Sequence, residues 1–315
     1  MRYREKQKGA LSAFAITVGL CFSMQAYAQE ANSETASGNN TMAGYAEEDG
    51  GTQRINLAGK FRSLSQRIPA VACVLVNSED PEAIAPMLTK AGKRFNRILK
   101  ALHVGDDELG IYGKEEKRRV LVRLDELSVL WKPIFEAGEN ISAGTNVEES
   151  LQYISENNMA LLQAAKLLVA EIEAEYANPV DITVSEALLI NYSGRQRMLS
   201  QKVAKEACGV ATGNAALGSV DDLKATASMF NTTLMALKNG MPEAGLMAAP
   251  TDQIKEQLES SIKDWEGISA ITSQITGEGS IDSKAMTDLF WSLDAARKAM
   301  NKITGLYADF AKQNT

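Results

Sequence analysis

Apolar residues recur along most of this chain at helical spacing. Leu57, Phe61, Leu64, Ile68, Val71 and Leu75 follow one another at steps of four and three, the stripe of a helix that buries one face. Comparable patterns predict helices near 54–77, 80–103, 114–137 and 147–176, then near 181–212, 220–239, 251–275 and 282–312. Breaks come from Asp106-Asp107 to Gly113, Gly138 to Gly144, Gly240-Met241-Pro242 and Thr276-Gly277-Glu278-Gly279. Nothing reads as strand.

The helical part is one unit written twice. Ile55-Asn56-Leu57-Ala58-Gly59-Lys60-Phe61-Arg62-Ser63-Leu64-Ser65-Gln66-Arg67-Ile68 aligns with Ile190-Asn191-Tyr192-Ser193-Gly194-Arg195-Gln196-Arg197-Met198-Leu199-Ser200-Gln201-Lys202-Val203, an offset of 135. At that offset Cys73 meets Cys208 and Phe95-Asn96 meets Phe230-Asn231; Trp131 and Trp265 match one residue off it. A long-period repeat of this kind marks a duplicated structural unit. Asn178-Pro179 separates the copies, because the residue before a proline resists helix. The expected fold is all-α: two tandem up-down four-helix bundles, 52–177 and 180–315, able to pack against each other as a pseudo-dimer.

The first 51 residues follow another pattern. Arg2, Arg4, Lys6 and Lys8 precede an apolar run from Ala10 to Met24, and Ala26-Tyr27-Ala28 closes it with small residues. That order predicts a cleaved signal peptide over 1–28 and export to the periplasm. Residues 29–51 are polar, rich in Gly, Ser and Asn, and lack periodicity, as in a flexible leader. Of 33 basic and 40 acidic residues, cleavage removes four and one, leaving 29 and 39. So acidic a chain is no general nucleic-acid binder. It binds an anion only through a local cationic site. One His and three Cys leave few ligands for a zinc site or a His-based triad, and no cofactor is expected.

The first helix of each unit carries a second stripe: Asn56, Gly59, Ser63, Gln66, Ala70 and Cys73, matched by Asn191, Gly194, Met198, Gln201, Lys205 and Cys208. It is too small and polar for a bundle core. Small residues at helical spacing let two backbones approach closely, so the two stripes are natural partners. With Asn56 and Gly59 at heptad positions a and d, Arg62 and Arg197 fall at g, and Arg67 and Lys202 at e. In a parallel pair g faces the next e of the partner, so Arg62 faces Lys202 and Arg197 faces Arg67. Four cations then meet where opposite charges are usual. A small oxyanion resolves the conflict, since guanidinium forks match planar oxygens. Asn56, Asn191, Ser63 or Ser65 could add neutral donors. The plain alternative is four solvated cations with no ligand.

Ile-Asn-x-Ala/Ser-Gly-x-x-Arg-x-x-Ser-Gln-Arg/Lys resembles the first-helix motif of two related groups. One is the periplasmic sensor domain of NarX-like nitrate/nitrite kinases; the other is the N-terminal domain of PilJ, the type IV pilus chemotaxis transducer. The similarity covers roughly 52–313. In the NarX-like kinases the motif helices pair across a homodimer and their arginines bind nitrate. The resemblance thus implies Arg62 and Arg197 as anion contacts and a pseudo-dimer within one chain. Two departures stand out. No membrane helix or signalling module follows the second unit before Thr315, and the units differ at Lys60-Phe61 against Arg195-Gln196.

Cys73 and Cys208 end the same seam, so a disulfide between them is one reading and two buried thiols the other. His103 is expected to serve the C-terminus of its helix, where Lys238 stands in the second unit. Trp131 and Trp265 read as bundle anchors. No nucleophile–base or metal constellation suggests an enzyme. The leading expectation is a periplasmic binding or sensory protein for a small oxyanion, nitrate or nitrite first. Its anion site comprises Arg62, Arg197, Arg67, Lys202, Asn56 and Asn191. The alternative is a non-enzymatic module that docks on a membrane chemotaxis transducer, a sensor kinase or another copy of itself as a homodimer.

Overall fold

The computed structural model describes residues 50–176 and 183–313. The expected signal peptide, nearly all of the leader and the Asn178-Pro179 linker lie outside the described residues. Eight long helices follow in order: α1 (Gly51–Asn77), α2 (Pro81–Val104), α3 (Arg118–Ala143), α4 (Val147–Tyr176), α5 (Val184–Thr212), α6 (Val220–Asn239), α7 (Asp252–Glu278) and α8 (Ser283–Gln313). A short 3-10 turn follows α2 and another follows α6. The described residues form no strand beyond two isolated bridges, Asp106 with Ile111 and Met241 with Leu246. None of their helices is long and apolar enough to cross a membrane.

Local chemistry sets most helix starts. The Asp80 carboxylate accepts the Ala83 N–H ahead of Pro81, which suits a first helical position. Thr183 with Glu186, and Ser219 with Asp222, close reciprocal capping boxes at the starts of α5 and α6. The third helix departs from its expected span of 114–137. Its start moves to Arg118 because Glu115 turns inward, where its carboxylate accepts Arg54 Nη1 at 3.1 Å and Tyr176 Oη at 2.6 Å. Its end moves to Ala143 because Gly138 sits inside the helix, facing Leu88 of α2, rather than breaking it. Gly144, at φ 71°, takes the left-handed turn that stops α3. Gly277 is likewise carried inside α7, which ends on Gly279.

In each unit every helix packs on two neighbours in a closed ring, α1–α2–α3–α4 and α5–α6–α7–α8. The core stripe of α1 buries Leu57, Phe61, Leu64, Ile68, Val71 and Leu75. The tryptophans act alike: Trp131 stacks on Phe95 at 3.9 Å between ring centres, and Trp265 on Phe230 at 4.2 Å. Helix α1 also packs along α5. Ser63 meets Arg197, Arg67 meets Gln201, and Cys73 meets Cys208, in the same order on both helices. The pair is therefore parallel and in register, and it forms within one chain. Helix α8 flanks the pair on one side, where Asp294 and Asn301 reach Arg67 and Arg197. Helix α4 flanks it on the other, where Asn158 Oδ1 accepts Lys205 Nζ at 3.0 Å.

Candidate cation seam between the two units

The small-residue stripe lets α1 and α5 touch. Gly59, Ser63, Gln66, Ala70 and Cys73 are all buried. Ser63 Oγ donates to the Arg197 carbonyl at 3.0 Å, a contact only a short side chain at a close crossing makes. Cys73 and Cys208 form a disulfide with Cα atoms 6.3 Å apart, tying the two units together across 135 residues of chain.

The side chains of two arginines meet at Gly59, about one turn before Ser63. A Cβ placed on Gly59 would lie 3.6 Å from Arg62 Nη2 and 3.8 Å from Arg197 Nη2. Guanidinium groups from two helices thus converge over a residue with no side chain. Gly194 plays the same part for α5: its would-be Cβ lies 3.2 Å from Arg197 Nη2. An alanine at Gly59 would meet both arginines at ordinary contact distance, whereas one at Gly194 would press Arg197 back by a few tenths of an ångström. Both arginines pay for their burial electrostatically: burial lowers Arg62 and Arg197 to about 10, and Arg62 adds to the depression of Arg197. Glu173 pulls Arg62 the other way, and Arg195 adds to its depression. Lys60, on the flank nearer Arg197, falls to about 8 through burial, then Arg94 and Arg197.

The other expected site residues separate from this pair. Arg67 turns to the α8 side, where its Nη1 donates to Gln201 Oε1 at 2.9 Å and pairs with Asp294. Asp294 also takes Arg297 at 2.9 Å and Lys298 at 3.1 Å. Burial alone would raise the Asp294 carboxyl, but Arg67 and then Arg297 outweigh it and hold it below the usual range. Lys202 bends back along its own helix to Glu206 and reaches Thr226 Oγ1 at 2.7 Å. The expected facing of Arg62 with Lys202, and of Arg197 with Arg67, therefore gives way. Each e-position cation finds a carboxylate closer than the opposite g position. Asn56 is exposed, while Asn191 is half-buried and its Oδ1 has no hydrogen-bond partner. The hydroxyls of Ser63 and Ser65 are spent on main-chain carbonyls, Ser65 on that of Arg62 at 2.9 Å.

Heptad reasoning missed the flanking cations. Arg94 and Arg297 approach from α2 and α8, Lys166 from α4. No spacing on α1 announces them, because they come from helices that the bundle, not the sequence, brings near. Lys60 and Arg195 were visible as a place where the repeats differ, without a sign of their role. His103 lies in the last turn of α2, 3.5 Å from Asp125, as Lys238 lies 3.0 Å from Glu259 in the second unit. Both stand beside a carboxylate of the next helix, near the ends of α2 and α6.

The family described as Type IV pili methyl-accepting chemotaxis transducer N-term, PilJ, matches residues 45–156 and again residues 183–285. No curated protein matches the chain. The two matches fall one on each bundle, and each includes the helix that lines the seam. Since together they cover most of its length, the chain belongs to the PilJ family of type IV pili chemotaxis transducer N-terminal domains, present here as two copies.

Proposed function

We propose that this chain is a periplasmic sensory module that binds a small oxyanion, nitrate or nitrite first, between its two units. The observation that carries the reading is the convergence of Arg62 and Arg197 over Gly59. Two converging guanidinium groups of like charge, Arg197 buried and Arg62 half-buried, cost free energy unless a negative group stands between them. A planar oxyanion can accept charge-assisted bonds from both. Binding then relieves repulsion across the α1–α5 contact. A ligand shifts a conformational balance only by its differential affinity for the two states; here the favoured state is the one with α1 and α5 closest. The seam would so transmit occupancy from one bundle to the other, and no step requires bond chemistry. Export through residues 1–28 fits the periplasmic setting of this reading.

The small-residue stripe is covered by α5 of the same chain, so a docking partner would have to use another surface. Thermal unfolding in sodium nitrate against sodium chloride at equal ionic strength tests the proposal. A ligand that binds only the folded state raises its stability, so nitrate should raise the midpoint beyond chloride. Arg62→Ala should abolish that difference and Arg197→Ala should reduce it. Equal midpoints in both salts for the wild type would refute it.

A further inference from the structure

The two sides of the seam match in sequence but not in how their polar groups are satisfied. On the α8 side Arg197 is held fast: its Nε donates to the Gly194 carbonyl at 3.2 Å and its Nη1 to Asn301 Oδ1 at 3.0 Å. Gln201 is satisfied as well, donating to the Leu293 carbonyl at 3.3 Å and accepting from Arg67. On α1 the equivalents are bare. Arg62 Nε is buried with no hydrogen-bond partner among the described residues, and so are both polar atoms of Gln66. Gln66 is 0% exposed. A buried amide with neither donor nor acceptor paired costs several times what an ordinary hydrogen bond contributes. Arg62 and Gln66 stand one turn apart on the same face of α1.

What replaces Asn301 explains the difference. Helices α4 and α8 bury matching positions at an offset of 135, the offset of the α1–α5 repeat. Ile154, Ala165, Leu168 and Ile172 correspond to Leu289, Met300, Ile303 and Tyr307. In that register Lys166 stands where Asn301 stands. The neutral acceptor that anchors Arg197 is thus exchanged, beside Arg62, for a third cation. Arg195 and Arg62 in turn add to the burial that lowers Lys166 below the usual lysine range.

We infer that the oxyanion sits asymmetrically, one per chain, on the α4 side of the α1–α5 pair. Arg62 and Lys166 supply its charge contacts and the Gln66 amide a hydrogen bond, while Arg197 is a fixed strut. This rests on the oxyanion reading above and adds the residues and the side. One copy of the duplicated motif has become scaffold, and the other keeps the ligand.

Nitrate titration calorimetry on the whole chain tests the assignment. The expected stoichiometry is one. Lys166→Asn, which offers Arg62 the acceptor that Arg197 already has, should weaken binding by roughly tenfold or more, the scale of a charge-assisted hydrogen bond. Lys166→Arg should keep it within a few-fold on the same scale. In a parallel titration followed by amide resonances, the Gln66 side-chain signal should move while that of Gln201 stays. If Arg62→Ala loses nitrate but Lys166→Asn binds like wild type, the anion lies elsewhere along the seam and the asymmetric seat is overturned. If the wild type takes up no nitrate, the oxyanion reading falls, and this one with it.

Discussion

The first and second units bury equivalent helices around equivalent tryptophans, yet they close their ends differently. In the first, Arg54 is fully buried against Glu115, the Leu102 carbonyl and the Gly113 carbonyl, with Tyr176 hydroxyl on the same carboxylate. In the second, Leu189 stands at the position of Arg54, and Ala249, whose N–H donates to the Lys238 carbonyl as that of Glu115 donates to the His103 carbonyl, stands at that of Glu115; Leu189 is buried as an ordinary core residue. The same lid is ionic in one copy and apolar in the other. A repeat therefore dictates where the helices go, while each copy chooses its own means of satisfying the space between them. The seam repeats that lesson with Arg62 and Arg197.

Removing one partner from the ionic lid should have the greatest effect. Arg54→Ala leaves Glu115 buried without its cation and should cost about 3–5 kcal/mol, read as a lower urea midpoint. The second unit offers the control, since Leu189→Ala should cost about 2–5 kcal/mol through a cavity alone. A Glu115→Gln variant that leaves the midpoint unchanged would erase the distinction between the lids.

The covalent tie comes next. Reduction of Cys73–Cys208, or a Cys73→Ser/Cys208→Ser pair, opens a loop of 135 residues. A typical loss of about 2–4 kcal/mol follows from chain entropy, measured by denaturant unfolding with and without reductant. An unchanged midpoint would mean that the α1–α5 contact holds the units in register unaided.

Smaller effects separate the flanks of the seam by pH. Lys205, buried on the α4 side with Glu206, Lys202 and Asp222 about it, has its ammonium depressed to about 8 by burial. Its unfolded value lies near 10.5. Between those values the unfolded chain holds more protons than the folded one, so stability should rise with pH from about 8 toward 10. Lys205→Met should flatten that rise in pH-scanned thermal melts. Lys60, on the flank nearer Arg197 and away from the α4-side seat, is lowered to about 8 by burial, then by Arg94 and Arg197. It should add to the rise in stability above pH 8 and leave nitrate affinity unmoved. Lys60→Met should trim that rise while leaving the Lys205 effect and nitrate binding in place.

Much of this was readable before any coordinates. The duplication, the eight helices and the pairing of the two small-residue stripes follow from spacing, because 3.6-residue periodicity and close-packing glycines act locally. Gly138 misled as a break, since a glycine inside a bundle also serves a neighbouring Leu88. Arg62 and Arg197 could be singled out because they repeat. Lys202 and Arg67 repeat as well, but their partners Glu206 and Asp294 decide their direction, and Asp294 lies 227 residues from Arg67. Lys166 was invisible for a different reason. Its meaning rests on standing opposite Asn301, and that correspondence needs the packed register of α4 and α8.

The central claim is that two arginines, brought together within one chain, hold a small oxyanion. Nitrate calorimetry on wild type, Arg62→Ala and Arg197→Ala, with chloride as the competing salt, tests it most directly. The account predicts saturable binding of one nitrate per chain that is lost in the Arg62 variant and weakened in the Arg197 variant. No saturable heat at millimolar nitrate with the chain folded would contradict it and leave the seam a packing surface.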